Sequence, residues 1–203
     1  ARIALGGVAT VPWRAKTAEG ALAGQRLDTA TMQAAADAAF SEAQPHQYNA
    51  FKIALGKQTL IRALEQLYAL GALNEKGELT KLGFKMAEFP TDPQLAKTIL
   101  SAERYGCVEE LLTICAMLDA GAAVFYRPPQ RGVHADAAHK AFMRGIGSHG
   151  DHLMLKLVYE QWREAGYARQ WCRENFIQDK AMNRARDVRD QLDALCERVE
   201  VTK

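Results

Sequence analysis

Histidines that lie close to an aspartate are the first residues in this sequence whose pattern could do chemistry. Imidazole and carboxylate groups at such short spacing are suitable zinc ligands. Helix capping by Asp151 and histidines on the surface explain the same residues more simply, and we therefore predict no metal site. The two groups are His134, Asp136 and His139, and His149, Asp151 and His152.

No motif for nucleotide binding or covalent catalysis accompanies these residues. The phosphate-binding pattern GxxxxGK[ST] is absent, and Gly145, Gly147 and Gly150 fall between two predicted helices rather than after a strand. No acidic cluster is present to hold magnesium for phosphoryl transfer. No cysteine is placed beside a histidine as a thiol nucleophile. We predict no catalytic residue, no cofactor and no enzymatic activity.

Positive charge is concentrated between Arg127 and Arg189. This segment contains twelve lysines and arginines against seven aspartates and glutamates. Such an excess favours nucleic acid, because neutralising phosphates releases counterions, although a solvated helix face has the same composition. Within the segment, one long predicted helix carries Lys180, Arg184, Arg186 and Arg189. Cations along one helix can follow a sugar–phosphate backbone.

Three aromatic side chains in the same region could stack on unpaired bases. They are Trp162, Trp171 and Phe176. Aromatic residues at helical spacing more often pack in a core, and we favour that interpretation.

The composition is that of an ordinary globular protein. Of the 203 residues, 48% are apolar and 25% are charged, and no run approaches the roughly 18 consecutive apolar residues of a membrane-spanning helix. The first residues show no basic segment followed by a long apolar run, so we predict no targeting signal and no membrane contact. Four cysteines without CxxC spacing indicate reduced, buried thiols of a cytosolic or nuclear protein. They are Cys107, Cys115, Cys172 and Cys196.

The first ninety residues predict a small β element followed by helices. A strand is predicted over residues 2–11, ended by Pro12. Helices then follow over 17–23, capped by Thr17, and from Asp28 or Thr29 to about residue 43. A longer helix over 49–70 is interrupted by Gly56, which weakens its middle. Two apolar pairs around the turn at residues 74–77 predict a β-hairpin, and another helix ends at Pro90.

From Asp92 onward the pattern predicts helices almost throughout. A loop over 121–133 and a flexible link over 145–150 interrupt them. The last predicted helix covers residues 180–199. The predicted fold class is therefore mainly α: a short N-terminal α/β fragment, then a helix with a β-wing, then a helical bundle.

A series of short motifs follows in a fixed order from Leu60 onward. They are 60–73 (LIRALEQLYALGAL), 79–83 (LTKLG), 86–90 (MAEFP), 105–107 (YGC), 125–128 (FYRP), 134–136 (HAD), 150–153 (GDHL), 170–172 (QWC) and 184–192 (RARDVRDQL). Together they resemble the winged-helix and helical ratchet region of DEAH-box RNA helicases, most of all the members that act in pre-mRNA splicing. Residues 129–131 (PQR) depart from that family, in which a lysine-rich stretch is usual.

This resemblance implies that the ratchet region lies beside an RNA channel. It places Arg184, Arg186 and Arg189 toward or near bound RNA, without identifying which of them touches it. With Lys180 and Arg127, these arginines are our predicted RNA contacts. The RecA-like ATPase domains and the OB-fold of such helicases are expected to be missing from this sequence.

The first 57 residues resemble a different family. The motifs are 2–9 (RIALGGVA), 12–15 (PWRA) and 49–52 (NAFK). They are similar to the C-terminal domain of the FAD-binding subunit of molybdenum hydroxylases, the xanthine and aldehyde dehydrogenase group. The flavin-binding portion of such a subunit lies upstream of this domain, so the resemblance implies no FAD site here.

The two resemblances meet within one predicted helix and imply a chimera. Both families place a helix with a similar Leu-Ile-Arg-Ala-Leu core at this point, and the predicted parts are 1–57 (flavoprotein fragment), 58–90 (winged-helix-like) and 91–203 (ratchet). Our hypothesis is a non-catalytic engineered chimera with at most weak RNA binding. The alternatives are a natural C-terminal fragment of a splicing helicase and a fragment of a FAD-binding oxidoreductase subunit.

Partners and location follow from the parent families. Single-stranded RNA is the expected partner, and interfaces orphaned from the parent proteins could lead to self-association. The helicase parent implies a nuclear location, and the flavoprotein parent a cytoplasmic or periplasmic one. The sequence alone does not tell whether the two pieces pack on each other.

Overall fold

The computed structural model describes residues 2–121, 124–147 and 150–202. Helices make up 65% of the model, which confirms the mainly α class. The chain divides into two compact units, Ala1–Lys97 and Thr98–Lys203, and each is described by itself below. The predicted boundaries at residues 57/58 and 90/91 stay predictions. In the described ranges, no helix is both long and apolar enough to cross a membrane.

The first unit begins with a two-stranded antiparallel sheet. Strand β1 (Ala4–Leu5) pairs with β2 (Trp13–Arg14), with Ala4 opposite Arg14 and Leu5 opposite Trp13. The strand predicted over 2–11 is therefore present but limited to Ala4–Leu5, and it is one of a pair. Gly7 adopts a φ of 70°, a left-handed conformation that turns the chain back after β1. Pro12 precedes the second strand instead of ending the first.

Three helices follow the sheet. Helix α1 (Lys16–Leu22) begins without a side-chain cap, because Thr17 donates its hydroxyl to the carbonyl of Ala38 rather than capping the helix. Helix α2 (Thr29–Ala39) begins as predicted, with Asp28 Oδ1 accepting from the Thr31 N–H at 2.9 Å, but it ends earlier than residue 43.

Helix α3 (Phe51–Ala69) confirms the long predicted helix. A Cβ added at Gly56 would lie 2.2 Å from Cζ of Phe40. The glycine that interrupts the sequence pattern therefore lets the Phe40 ring approach the α3 backbone.

The wing after α3 is a short hairpin with one bridge, between Leu73 and Leu79. Its turn is held by Asn74, whose Oδ1 accepts from the N–H groups of Lys76 and Glu78, and by Gly77 at a φ of 68°. Helix α4 (Lys81–Ala87) follows, and its N-cap is Thr80, whose hydroxyl accepts from the Gly83 N–H. The predicted hairpin and the following helix are both confirmed.

One hydrophobic core joins the flavoprotein-like residues to the wing. Its buried side chains come from residues that flank the two strands, from the three helices, from the loop before α2 and from the hairpin: Ile3, Ala15, Ala18, Leu22, Leu27, Met32, Ala35, Ala36, Leu60, Ile61, Leu64 and Leu73. The Leu27 N–H also donates to the carbonyl of Glu75 at 2.6 Å. The two pieces of different resemblance therefore pack on each other within the first unit.

The remaining helices are α5 (Pro93–Tyr105), α6 (Val108–Ala120), α7 (Gly132–Ile146), α8 (Asp151–Glu164), α9 (Arg169–Glu174) and α10 (Asp179–Arg198). The link predicted over 145–150 includes residues 148 and 149, which lie outside the described residues, and α7 continues to Ile146. The predicted cap at Asp151 is also wrong: Gly150 occupies that position and Asp151 is the first helical residue.

The core of the second unit contains the aromatic residues that could have stacked on RNA. Trp162 is fully buried and Phe176 is 4% exposed, while Trp171 packs against the same cluster at the Phe142 ring. The core-packing interpretation is therefore confirmed for these side chains. Helix α10 packs along α6 and buries Ala181, Met182, Ala185, Leu192 and Cys196.

Candidate nucleic-acid interface

The basic residues of α10 are positioned by its apolar stripe. Because Met182, Ala185 and Leu192 face the core, Arg184 and Arg186 fall away from the buried stripe, whereas Arg189 lies on the side that packs against α6. Each of the three meets a different partner within the second unit.

Arg189 is the most enclosed of the three, with 15% of its side chain exposed. Its Nε donates to Oγ1 of Thr113 at 3.1 Å, and its Nη2 donates to Oε2 of Glu109. Thr113 is itself buried and donates to the Glu109 carbonyl at 3.0 Å. Arg189 therefore fastens α10 to α6, and its guanidinium is already engaged by a hydroxyl and a carboxylate.

Arg184 and Arg186 are more exposed but also have partners. Arg184 donates from Nε and Nη2 to Oδ2 of Asp119, at 3.2 and 3.0 Å. The Arg186 guanidinium lies 5.4 Å from the ring centroid of Tyr167, a cation–π geometry, with a weak contact of 3.9 Å to Asp187. Lys180 is exposed on the first turn of α10, and no carboxylate of the described chain lies within 4.0 Å of it.

Arg127, the fifth predicted contact, fixes the start of α7. Its Nε and Nη2 donate to the two oxygens of Asp136 at 2.8 and 3.0 Å. These hydrogen bonds lower the pKa of the Asp136 carboxyl and raise that of Arg127. The guanidinium also covers Gly132, where an added Cβ would lie 2.9 Å from Cζ. The structure thus places Arg127 in a local bidentate pair, away from the α10 arginines in sequence and on another element.

Further cations lie on and just before α7; they belong to the basic segment between Arg127 and Arg189 but are not among the predicted RNA contacts. Arg131, Lys140 and Arg144 are all exposed. Arg131 stacks its guanidinium 4.9 Å from the ring centroid of Phe176. A sequence signal was available, since Arg144 has no acidic residue three or four positions away in either direction. The pattern was overlooked because the mixed charges of the wider segment masked it.

The histidine groups form no metal site in the described chain. No three metal-binding side chains of the described residues come together. Asp136 is paired with Arg127, and His139 Nε2 lies 3.1 Å from the carbonyl oxygen of Phe176. His149, one member of the second group, lies outside the described residues.

The cysteines described are free. Burial raises the pKa of the Cys115 and Cys172 thiols to about 11, which keeps both groups protonated and unreactive near neutral pH. This agrees with the predicted reduced thiols.

Comparison with known families finds matches to two different kinds of domain. Residues 1–67 match the CO dehydrogenase flavoprotein C-terminal domain. Residues 63–91 match the winged-helix part of the helicase-associated domain, HA2, and residues 92–155 match its ratchet-like part. Both resemblances are confirmed at the level of these domain families: one part of the chain is similar to a flavoprotein C-terminal domain and another, up to residue 155, to the helicase-associated domain.

Proposed function

We propose that this protein is a non-catalytic, engineered chimera that carries the RNA-side accessory region of a DEAH-box splicing helicase and binds single-stranded RNA weakly. The families matched are accessory domains, which have no chemistry of their own in this reading. The flavoprotein segment serves as a folding partner for the wing rather than as a cofactor site.

The observation that carries this proposal is the place where the two families meet. Their matches overlap at residues 63–67, inside the uninterrupted helix α3. Leu64 lies in this overlap and is buried in the core common to both segments. A join through a helix that both parents share would preserve the apolar pattern of each, because the same face remains directed to the core.

Weak RNA binding is supported by the charge distribution of the second unit. Positive residues exceed negative ones between residues 127 and 189, and the HA2 matches are to helicase-associated domains. The binding is expected to be weak because Arg127, Arg184 and Arg189 already have carboxylate partners, which a phosphate would have to displace.

Fluorescence anisotropy with a labelled single-stranded RNA tests the binding. We expect affinity to rise as salt is lowered from 200 to 50 mM, with a linear dependence of log K on log salt. Affinity no greater than that of a neutral globular protein of the same size would contradict RNA binding. A flavin absorbance spectrum in the purified protein would contradict the non-catalytic assignment.

The engineered origin has its own test. The coding sequence across residues 40–80 is compared with natural genomes. An intact natural reading frame that encodes this stretch contiguously would contradict the chimera and favour a divergent helicase fragment.

A further inference from the structure

The outer face of α7 carries a row of side chains at helical spacing. Val133, Ala137, Lys140 and Arg144 are separated by four, three and four residues, so they lie on one stripe of the helix. All four are exposed, whereas Ala135 and Phe142 are buried on the opposite side. The burial of Ala135 and Phe142 is therefore sufficient to direct this row toward solvent.

The cations of this row are more available than those of α10. Within the ranges that the structure describes, no carboxylate oxygen lies within 4.0 Å of the charged groups of Arg131, Lys140 or Arg144. Within α7, all of whose residues are described, the one acidic residue is Asp136, one turn before Lys140, and both of its oxygens accept from Arg127. Asp136 still feels the charge of Lys140, which contributes to the lowered pKa of its carboxyl. A phosphate at Lys140 or Arg144 displaces no hydrogen bond, whereas one at Arg184 or Arg189 must replace a carboxylate.

Tyr126 and Arg131, the residue just before α7, share one aromatic neighbour, Phe176. Tyr126 is 43% exposed, and its ring centroid lies 6.3 Å from that of Phe176, on which Arg131 stacks. The position of this group is fixed by its backbone: the Phe176 carbonyl accepts from the Tyr126 N–H at 3.0 Å and also contacts His139 Nε2. An exposed tyrosine beside an arginine offers one unpaired base a stacking surface and its phosphate a counter-charge.

We propose that single-stranded RNA binds along α7, with its phosphates at Lys140 and Arg144 and a base stacked at Tyr126 beside Arg131. This assignment rests on the proposed RNA binding and relocates it from the α10 arginines, whose guanidinium groups hold the helices of the second unit together. In this proposal the RNA-binding cations are those of α7, which form no ion pairs within the described chain.

The test compares three double substitutions in the full-length chain, with a labelled twelve-nucleotide oligouridine as the probe. Lys140→Ala/Arg144→Ala removes the row, Lys180→Ala/Arg184→Ala removes two cations of α10, and Arg163→Ala/Arg173→Ala removes two exposed cations elsewhere in the second unit. The three variants have the same net charge, and far-UV circular dichroism checks that each is folded. Affinity is measured as a function of potassium chloride concentration.

We expect the α7 variant to lower the magnitude of the slope of log K against log salt by about 1.4. Over a ten-fold change of salt, its affinity should therefore change roughly 25-fold less than that of the parent. The other two variants are expected to change the slope by less than half as much. Equal losses in all three variants would show a non-specific effect of net charge and overturn the assignment. A larger loss in the α10 variant would also overturn it, while leaving RNA binding itself in place.

Two further measurements complete the test. Tyr126→Leu is expected to weaken oligouridine binding at least about five-fold, whereas Tyr126→Phe retains it, because stacking needs the ring and not the hydroxyl. An unchanged affinity of Tyr126→Leu would refute the stacking contact. If the parent chain itself binds no better than a neutral protein, the proposed function fails, and the assignment to α7 fails with it.

Discussion

Replacement of Leu73 by alanine should loosen the flavoprotein-like helices as much as the wing in which Leu73 lies. Leu73 is 5% exposed and belongs to the core that also contains Met32 and Ala36 of α2. If this core is one cooperative unit, a cavity made from the wing side destabilises every element that borders it. If the two segments are merely adjacent, the effect stays in the hairpin.

The expected size follows from the surroundings of the side chain. Truncation of a buried leucine to alanine costs about 2–5 kcal/mol, with the larger values where the site cannot collapse. The wing is held on either side by backbone hydrogen bonds, Leu27 N–H to Glu75 and Thr80 N–H to Ala72, which limit its relaxation. We therefore expect a loss of about 3 kcal/mol, equivalent to about 150-fold more frequent opening.

Native-state hydrogen exchange measures this opening residue by residue. The amides to compare are those of Met32 in α2 and Thr80 in the wing, both hydrogen-bonded to backbone carbonyls. The matched control is Leu79→Ala, which removes the same atoms from the partner residue of the bridge, where 44% of the side chain is exposed. Its expected cost is below about 1.5 kcal/mol, because much of that side chain never leaves water. Unchanged protection at Met32 in Leu73→Ala, with reduced protection at Thr80, would refute a shared cooperative core.

Two further predictions concern single side chains. Hydrogen bonds from Arg14 and from the Ile3 N–H hold the pKa of Glu19 at about 2 in the folded protein, below its ordinary 4.5. The stability that ionised Glu19 contributes is therefore complete above pH 4.5 and is lost as the pH falls toward 2. The melting temperature of Glu19→Gln should depend less on pH over this window than that of the parent, and the same pH dependence in both proteins would refute the pairing. Arg189→Ala should lower the free energy of unfolding of the second unit by about 2 kcal/mol, because the buried hydroxyl of Thr113 loses a charged hydrogen-bond donor. Arg184→Ala should cost under about 1 kcal/mol, since its ion pair is exposed. Denaturant titration measures both losses, and equal losses would contradict the structural role of Arg189.

Local signals in the sequence were sufficient wherever a residue acts on its neighbours. Asp28 and Thr80 cap the helices that follow them because their side chains reach an N–H three residues away. The wing was also predictable, since Asn74 and Gly77 hold a turn only four residues long. The same reasoning failed at Thr17, because a carbonyl of α2, distant in sequence, accepts its hydroxyl.

The sequence could not reveal which cations were already engaged. Arg184 meets Asp119 across 65 positions, and Arg189 meets Glu109 across 80, so no spacing rule connects them. Part of the basic surface predicted on α10 therefore serves to hold α10 against α6. The two-residue strand β2 escaped detection for a related reason: it is too short to show alternation, and only its pairing with β1 defines it.

Helix α3, which both family matches enter, also limits the changes of length that this region can accept. One residue inserted before Leu60 would turn the following face by about 100° and advance it by about 1.5 Å, which moves Leu60, Ile61 and Leu64 out of register with α2. Seven inserted residues would nearly restore the angle but would displace the wing by about 10 Å along the axis. No such insertion keeps both the direction of the buried face and the position of the wing along the helix axis. The region of α3 where the two family matches overlap therefore tolerates neither an insertion nor a deletion.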